Sequence, residues 1–316
     1  MRKSLFIVLL LFPFFGMAQN YVDLFKIGYG QTFNNDFEVP RSPDTHIDFL
    51  EADLTFPLVL NEKNALITGV LFSSNKVQIF PDNDLDIFRA GFDEDGFASL
   101  KSTTLKLGLA TTYNDTWSST IVLLPKIASD YVNISGNDFF FGGIALLKQK
   151  RSDHLTFRYG FYATTEAFGP FTTPIFGWYY LSPSGQFEMD MSLPIAADIN
   201  YTQGVLTYGL DYIGIGRSFN INQDNSNVYI DMSSLDFAAY LQYNAFNKSV
   251  LLRGKLGYST SDYEAYRKDE KIDIGVSAFG FGDNRTQLNP TINGGFFFKF
   301  EAVYRFSLSN DSSETK

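Results

Sequence analysis

Residues 296–306 read FFFKFEAVYRF, and this stretch decides the fold class. Successive side chains of a β-strand point to opposite faces, so alternate positions share one environment. One face holds Lys299, Glu301 and Arg305, interrupted by Phe297 and Val303. The other face presents Phe296, Phe298, Phe300, Ala302, Tyr304 and Phe306. Because one face is suited to water and the other to lipid, the stretch predicts a strand in the wall of a membrane-spanning β-barrel.

The same period of two recurs upstream. Further apolar faces are found at 50–58, 105–109, 155–163, 206–212, 237–243 and 250–258. Residues 187–199 also alternate, but Pro194 within them has no N–H for a ladder hydrogen bond. We therefore expect a kink, bulge or strand break near Pro194. Spans of about ten residues suit strands that cross a bilayer at a tilt of about 45°.

The connections between these strands are of two kinds. Short polar turns are predicted at 61–64, 114–115, 150–153, 182–185 and 244–248. Longer acidic connections at 34–45 and 73–97 are typical of the extracellular loops of a barrel. The alternation of short and long fails at Thr202-Gln203-Gly204, which is short where a long loop is due, so the topology beyond Tyr201 stays open.

We predict an all-β chain forming a single transmembrane antiparallel up-and-down β-barrel. Its wall is expected to contain about 12 strands, within a range of about 10 to 14. The barrel is predicted to span residues 19–309, followed by a polar, disordered tail at 310–316.

The N-terminal segment has the features of a signal peptide. Arg2 and Lys3 precede an apolar run at 5–15, and Gly16-Met17-Ala18 places small residues where signal peptidase cleaves. The run is too short for a helix that spans roughly 30 Å of hydrocarbon. We predict a signal peptide at 1–18, export to the periplasm and insertion into the outer membrane.

Composition excludes several classes of protein. Aromatic residues make up 17% of the chain, which favours strands, and there is no Cys for disulfides, thiolate metal sites or a lipid-modified N-terminus. Loss of Arg2 and Lys3 with the signal peptide takes the formal charge from -10 to -12. The longest basic run, at 148–151, is interrupted by Gln149, so nucleic acid is not an expected partner. We expect no cofactor; the expected partners are outer-membrane lipid and small solutes.

Several short motifs are shared with one group of known barrels. They are Gly16-Met17-Ala18-Gln19, Leu193-Pro194 leading to Asn200-Tyr201, Leu206-Thr207-Tyr208-Gly209, and Gly257-Tyr258 before Tyr263. In these motifs the chain resembles the uncharacterised Bacteroidetes-type outer-membrane β-barrels over most of its mature length. The resemblance implies an outer-membrane barrel and assigns no activity.

Charged residues on the polar faces are the candidate lining of the lumen. They are Arg158, Glu166, Glu188, Asp190, Asp211, Arg217, Arg253, Lys255, Lys299, Glu301 and Arg305. Such charges either plug a barrel by pairing across strands or line a narrow water path. The leading hypothesis is a small pore or solute-binding channel.

Two alternative functions stay open. A surface protein could bind a partner through its acidic loops, and within residues 82–95 the acidic side chains offer oxygen ligands for Ca²⁺, although Ile87 occupies the place of the EF-hand glycine. A lipid-modifying enzyme would need His46 or His154 as base. Outer-membrane phospholipase-like barrels place Ser two residues after the His, whereas this chain has Asp48 and Thr156, so we expect no enzyme.

Overall fold

The computed structural model describes residues 21–33, 35–38, 45–80, 92 and 96–307. Within them no helix is long and apolar enough to cross a membrane. The strands are β1 (Tyr21–Phe33), β2 (Ile47–Val59), β3 (Asn64–Gln78), β4 (Phe97–Thr112), β5 (Trp117–Leu123), β6 (Lys126–Ser129), β7 (Phe139–Phe140), β8 (Gly142–Lys150), β9 (Leu155–Glu166), β10 (Gly169–Leu181), β11 (Phe187–Leu193), β12 (Ala196–Gln203), β13 (Leu206–Ile221), β14 (Val228–Ala245), β15 (Val250–Ser259), β16 (Asp262–Arg267), β17 (Ile274–Val276), β18 (Phe279–Phe281) and β19 (Gly295–Ser307).

These strands close into an antiparallel barrel, because β1 pairs with β2 on one side and with β19 on the other. Three positions in the wall are each filled by two strands in series, namely β5 with β6, β7 with β8, and β15 with β16. β17 and β18 form a hairpin outside this ring. The described part of the wall therefore has 14 positions, which confirms the barrel and lies at the upper limit of the expected range.

Pro194 explains why the order of short and long connections beyond Tyr201 could not be predicted. Residues 187–199 are not one strand: β11 and β12 pair with each other, with Met191 opposite Ala197. The chain reverses at Pro194-Ile195, where the Ile195 N–H donates to the Ser192 carbonyl at 2.9 Å. Because this turn adds one reversal of the chain, the connection after Gln203 lies at the same end of the barrel as the other short turns.

The two ends of the barrel differ, and we name them by their connections. The turn end carries the short connections after β2, β4, β8, β10, β12 and β14, and the loop end carries the connections after β1, β3 and β16. At the loop end, Asn220 of β13 pairs with Ser129 of β6, so the ring there passes directly from β6 to β13 and omits β7 to β12. The barrel is therefore narrower at its loop end than at its turn end.

The outer surface is apolar and the inner surface is polar along most of the wall. Phe300 of β19 is 66% exposed and Leu256 of β15 is 68% exposed. Lys299 and Glu301, which precede and follow Phe300 in the chain, are buried in the lumen. The alternation in residues 296–306 thus divides the strand as predicted, with Phe297 and Val303 buried on the inner face. An outward apolar band with a polar interior is the surface pattern of an outer-membrane barrel.

An apolar cluster fills the lumen at the loop end. We call it the loop-end cluster, and its buried members include Ile47, Val77, Ile79, Leu100, Ala128, Phe140, Phe219, Ile221, Val228, Ile230, Met232, Tyr263, Ala265 and Ile292. Phe37 and Phe80, from connections at this end, are buried in the same cluster. Residues from the strands and from the connections together block the loop end of the lumen.

Candidate solute cavity in the lumen

The turn-end half of the lumen contains a cavity of about 590 Å³. Gly185 and Lys248, which lie in turns, line its mouth, while Lys26, Arg253 and Lys255 line its inner end. We call this space the lumen cavity. Its volume is within the range of small-molecule sites, about 300 to 1,000 Å³.

The lining of the lumen cavity is almost balanced in charge. Its cationic residues are Lys26, Arg158, Lys248, Arg253, Lys255 and Arg305. Its anionic residues are Asp23, Glu188, Asp190, Asp198 and Asp211. Such a lining offers partners to both charges of a zwitterionic solute.

Several of these charges are paired between different strands of the wall. Arg305 makes a bidentate contact with Asp23, with Nε to Oδ1 at 2.6 Å and Nη2 to Oδ2 at 3.0 Å. Arg158 pairs with Asp190, and Lys255 pairs with Asp211. The attraction within each pair offsets part of the cost of taking its charges out of water.

Glu301 lies beneath the inner end of the lumen cavity, and its side chain is completely buried. Its carboxylate oxygens lie 3.2 Å from Lys26 Nζ, 3.2 Å from Lys299 Nζ, 3.3 Å from Lys255 Nζ and 3.6 Å from Arg253 Nη1. Glu301 therefore holds together four cations, from β1, β15 and its own strand β19, at the centre of the barrel.

Arg253 is fixed in place by neighbours other than Glu301. Its Nε and Nη2 donate to the Gln242 side-chain carbonyl at 2.9 and 2.7 Å, and its guanidinium lies 4.2 Å from the ring centroid of Tyr240. The Tyr240 hydroxyl donates to Asp198 at 2.9 Å. The cavity thus combines a cation, an aromatic ring and a carboxylate within one hydrogen-bonded group.

A second space of about 70 Å³ lies between the lumen cavity and the loop-end cluster. We call it the middle cavity. Lys299 donates to Glu51 at 2.6 Å on one side, and Arg217 donates to Ser73 at 2.8 Å on another. Asp236, which also lines it, accepts from Ser259 at 2.6 Å. The polar path thus narrows sharply towards the loop end.

The structure places the predicted lumen residues in three groups. Arg158, Glu188, Asp190, Asp211, Arg253, Lys255 and Arg305 line the lumen cavity. Arg217 and Lys299 line the middle cavity, and Glu301 lies between the two. Glu166 is apart from both: it pairs with Lys126 and accepts from the Ser218 N–H and hydroxyl, each at 2.9 Å.

The contribution of β1 to the lumen cavity was not predicted from the sequence. Tyr21, Asp23 and Lys26 line the lumen cavity, and the Tyr21 hydroxyl donates to Glu188 at 2.6 Å. A register shift between Asp23 and Phe25 interrupts the pairing with β19, so the period of two changes parity there. Beyond it, the exposed Phe25, Ile27 and Tyr29 alternate with inward residues and could have been recognised.

The other candidate sites have different outcomes. His46 is half-exposed, with Nε2 3.7 Å from Asp48 Oδ2, and His154 lies in the turn after β8. Among the described residues no three His, Cys, Asp or Glu side chains are grouped to hold a metal ion. The acidic residues within 82–95 that were considered for Ca²⁺, like the predicted signal peptide and tail, lie outside the described residues.

No protein-family model and no curated protein matches this chain. Among solved structures, an outer-membrane channel from Pseudomonas putida F1 is 11% identical, with a TM-score of 0.42 over 92% of this chain and 98% of that one. The P. putida toluene transporter TodX is 8% identical, with a TM-score of 0.38 over 90% and 89% of the two chains. A BenF-like porin from Pseudomonas fluorescens Pf-5 is 8% identical, with a TM-score of 0.30 over 90% and 98%.

Proposed function

We propose that this chain is an outer-membrane channel for small charged or zwitterionic solutes, held here with its loop end closed. The observation that supports this most directly is the lumen cavity, which is open at the turn end and lined by charges of both signs. Short turns of outer-membrane barrels face the periplasm, so the cavity would open to the periplasm. The resemblance to Bacteroidetes-type barrels agrees with this location.

The loop-end cluster is the proposed barrier to conduction. Leu100 and Ile230 are both fully buried in it. A dry apolar constriction stops water and ions without any charged gate. Passage of a solute through the barrel therefore requires the side chains of the loop-end cluster to move apart. The lumen cavity is the site where the solute binds before it crosses.

Thinning this barrier tests the proposal. The double variant Leu100→Ala with Ile230→Ala removes buried side chains from the loop-end cluster. We expect larger single-channel conductance in a planar bilayer and faster swelling of liposomes in glycine, a zwitterion, than with the natural protein. The control is Leu105→Ala with Leu241→Ala, which shortens side chains on the outer face, 45% and 55% exposed, and should leave conductance unchanged.

Correct folding is checked first by gel mobility before and after boiling, because a closed hydrogen-bonded barrel resists detergent until heated. Folded protein that gives neither conductance nor swelling, in the natural and the thinned form alike, contradicts the channel. That result would leave a structural or surface-binding role.

We also propose that the channel is not an enzyme. His46 is close to a carboxylate but is half-exposed, and the backbone N–H of His154 donates to the Ser152 hydroxyl at 3.2 Å. Neither histidine lines the lumen cavity or the middle cavity. Turnover of phospholipid by the purified folded protein, lost on substitution of either histidine by Ala, would overturn this.

A further inference from the structure

The barrel wall has a notch above the β11–β12 hairpin. β11 pairs with β10 only as far as Phe176↔Leu193, and β12 pairs with β13 only as far as Ala196↔Ile213. The 7 residues of β11, tilted by about 45°, rise only about 16 Å, against an apolar band of about 25 Å. Between this hairpin and the loop end, no described strand of the ring lies between β10 and β13.

The β10 edge of the notch lacks a donor. The Thr172 carbonyl accepts from the Ser277 N–H of the segment after β17 at 2.9 Å, so Thr172 directs its backbone groups towards the notch. Backbone groups of alternate residues point to the same edge of a strand, so those of Pro174 do as well. Proline has no N–H, which is tolerated at a strand edge that has no partner.

The β13 edge has its own unpaired position. The Gly214 N–H donates to the Ile195 carbonyl at 2.7 Å, and the Ser218 N–H donates to the Glu166 carboxylate at 2.9 Å. Gly216 lies between these two on the same edge. Among the described residues no hydrogen bond reaches its backbone from the notch side.

The β17–β18 hairpin fills part of the notch. β17 runs parallel to β10 and pairs with it at Phe171↔Gly275 and Thr172↔Val276. The hairpin presents Phe279 and Phe281 outwards, 70% and 55% exposed. The hairpin pairs with β10 at two residues of β17, whereas β10 pairs with β9 along nearly its whole length.

An aromatic side chain closes the remaining space. The ring of Phe171 lies 3.7 Å from the point that a Cβ on Gly216 would occupy, which is ordinary van der Waals contact. Across the notch, β10 and β13 thus meet through one ring and a glycine, where neighbouring strands elsewhere in the wall are joined by hydrogen bonds.

The lumen cavity reaches the lower edge of this notch. Ile213 lines both the lumen cavity and the middle cavity. Tyr212 also lines the lumen cavity, although its exposed hydroxyl donates to the Pro194 carbonyl at 2.7 Å on the outer side of the hairpin. The lining of one cavity therefore includes two adjacent residues of β13, which belong to opposite faces of the strand.

Polar and apolar groups are arranged in order along this path. Arg158 and Asp190 pair inside the cavity, and Arg158 also donates to Ser192 near the hairpin tip at 3.3 Å. Phe171 follows in the notch beneath β17, and Phe279 is exposed on the outer side of the hairpin. This order matches a molecule with a charged head and a single apolar chain.

We propose that the notch is a lateral passage between the lumen cavity and the hydrocarbon of the membrane. It admits a single-chain zwitterionic amphiphile, whose head pairs with Arg158 and Asp190 while its chain extends past Phe171. Displacement of the β17–β18 hairpin from β10 opens the passage. The inference rests on the lumen cavity of the proposed channel but not on opening of the loop end.

A disulfide lock tests the passage, because the chain has no native Cys to interfere. The variant Thr172→Cys with Val276→Cys joins directly paired residues of β10 and β17. The control, Ala110→Cys with Thr120→Cys, joins paired residues of β4 and β5 in an unbroken part of the wall. The probe is lysophosphatidylcholine with a diazirine in its chain, supplied in the vesicle membrane and crosslinked by light.

We expect the chain-borne diazirine to label Phe171 in the notch and Ile213 at its lumen edge, found by mass spectrometry, in the reduced lock variant. Oxidation should lower that labelling about tenfold, because the disulfide holds β17 against β10, and a reductant should restore it. The control should label equally in both states. Labelling of the outward Phe237 and Leu241 reports probe in the membrane and should not change.

Two outcomes overturn the passage. One is labelling of Phe237 without labelling of Ile213. The other is labelling of Ile213 that persists in the oxidised lock, which means that the probe enters at the turn end. Neither result affects the conductance test, so the failure of the passage and the failure of the channel can be told apart.

Discussion

Replacement of Glu301 by Gln removes the one anion of the described residues that contacts Lys26, Arg253, Lys255 and Lys299 together. At an effective dielectric constant of about 20, one charge pair at about 3.3 Å contributes about 5 kcal/mol before desolvation. Much of this gross attraction offsets the cost of taking the charges out of water, so the four contacts do not add.

The remaining partners set the expected size of the loss. After Glu301→Gln, Lys299 keeps Glu51, Lys255 keeps Asp211 and Arg253 keeps Gln242. Lys26 keeps no carboxylate among the described residues, but its side chain is 33% exposed to the cavity. Removing one partner of a buried pair costs about 3 to 5 kcal/mol, and we expect a loss of about 3 kcal/mol here.

The assay is urea unfolding of the barrel in lipid vesicles, followed by tryptophan fluorescence. The control is Asp153→Asn, which removes an exposed contact with Lys150 of 2.8 Å and should leave the unfolding midpoint unchanged. A loss below about 1 kcal/mol for Glu301→Gln, the level of an exposed pair, would refute the view that Glu301 holds the centre of the barrel together.

Two further predictions concern packing. Phe219→Ala removes a fully buried ring from the loop-end cluster and should lower the unfolding free energy by about 3 to 5 kcal/mol, measured in the same assay. Phe237→Ala, whose ring is 51% exposed on the outer face, should cost much less, and equal losses would contradict a packed loop end. Gly177→Ala would place a Cβ 1.9 Å from the Met191 carbonyl oxygen and should reduce the heat-modifiable fraction on gels. Gly254→Ala, whose nearest neighbour is at 3.7 Å, should fold normally, and normal folding of both would contradict the β10–β11 register.

The wall could be predicted wherever one face of a strand meets lipid and the other meets water. In β19, lipid and lumen impose opposite demands on adjacent residues, so parity alone separates the exposed Phe300 from the buried Glu301. The strand number was underestimated mainly at Pro194, because alternation continues across the reversal there: β11 and β12 keep the same parity on either side of a two-residue turn.

The loop end could not be predicted in the same way. The loop-end cluster joins Phe37, Leu100, Phe219 and Ile292, which are far apart in sequence and share no period. The contact between Asn220 and Ser129 likewise depends on the inward path of β13. Contacts of this kind follow from the closed barrel and leave no local signal in the sequence.

The notch also divides the barrel into regions of different local stability. Amides of β2, β3 and β4, paired on both sides over long registers, open only with the whole barrel and should exchange with solvent deuterium most slowly. The amide of Gly216 has no partner across the notch among the described residues, so it should exchange without unfolding of the whole barrel. The natural protein therefore has a boundary between a part of the wall that opens only on global unfolding and a part that opens locally. Hydrogen exchange would locate this boundary without any substitution.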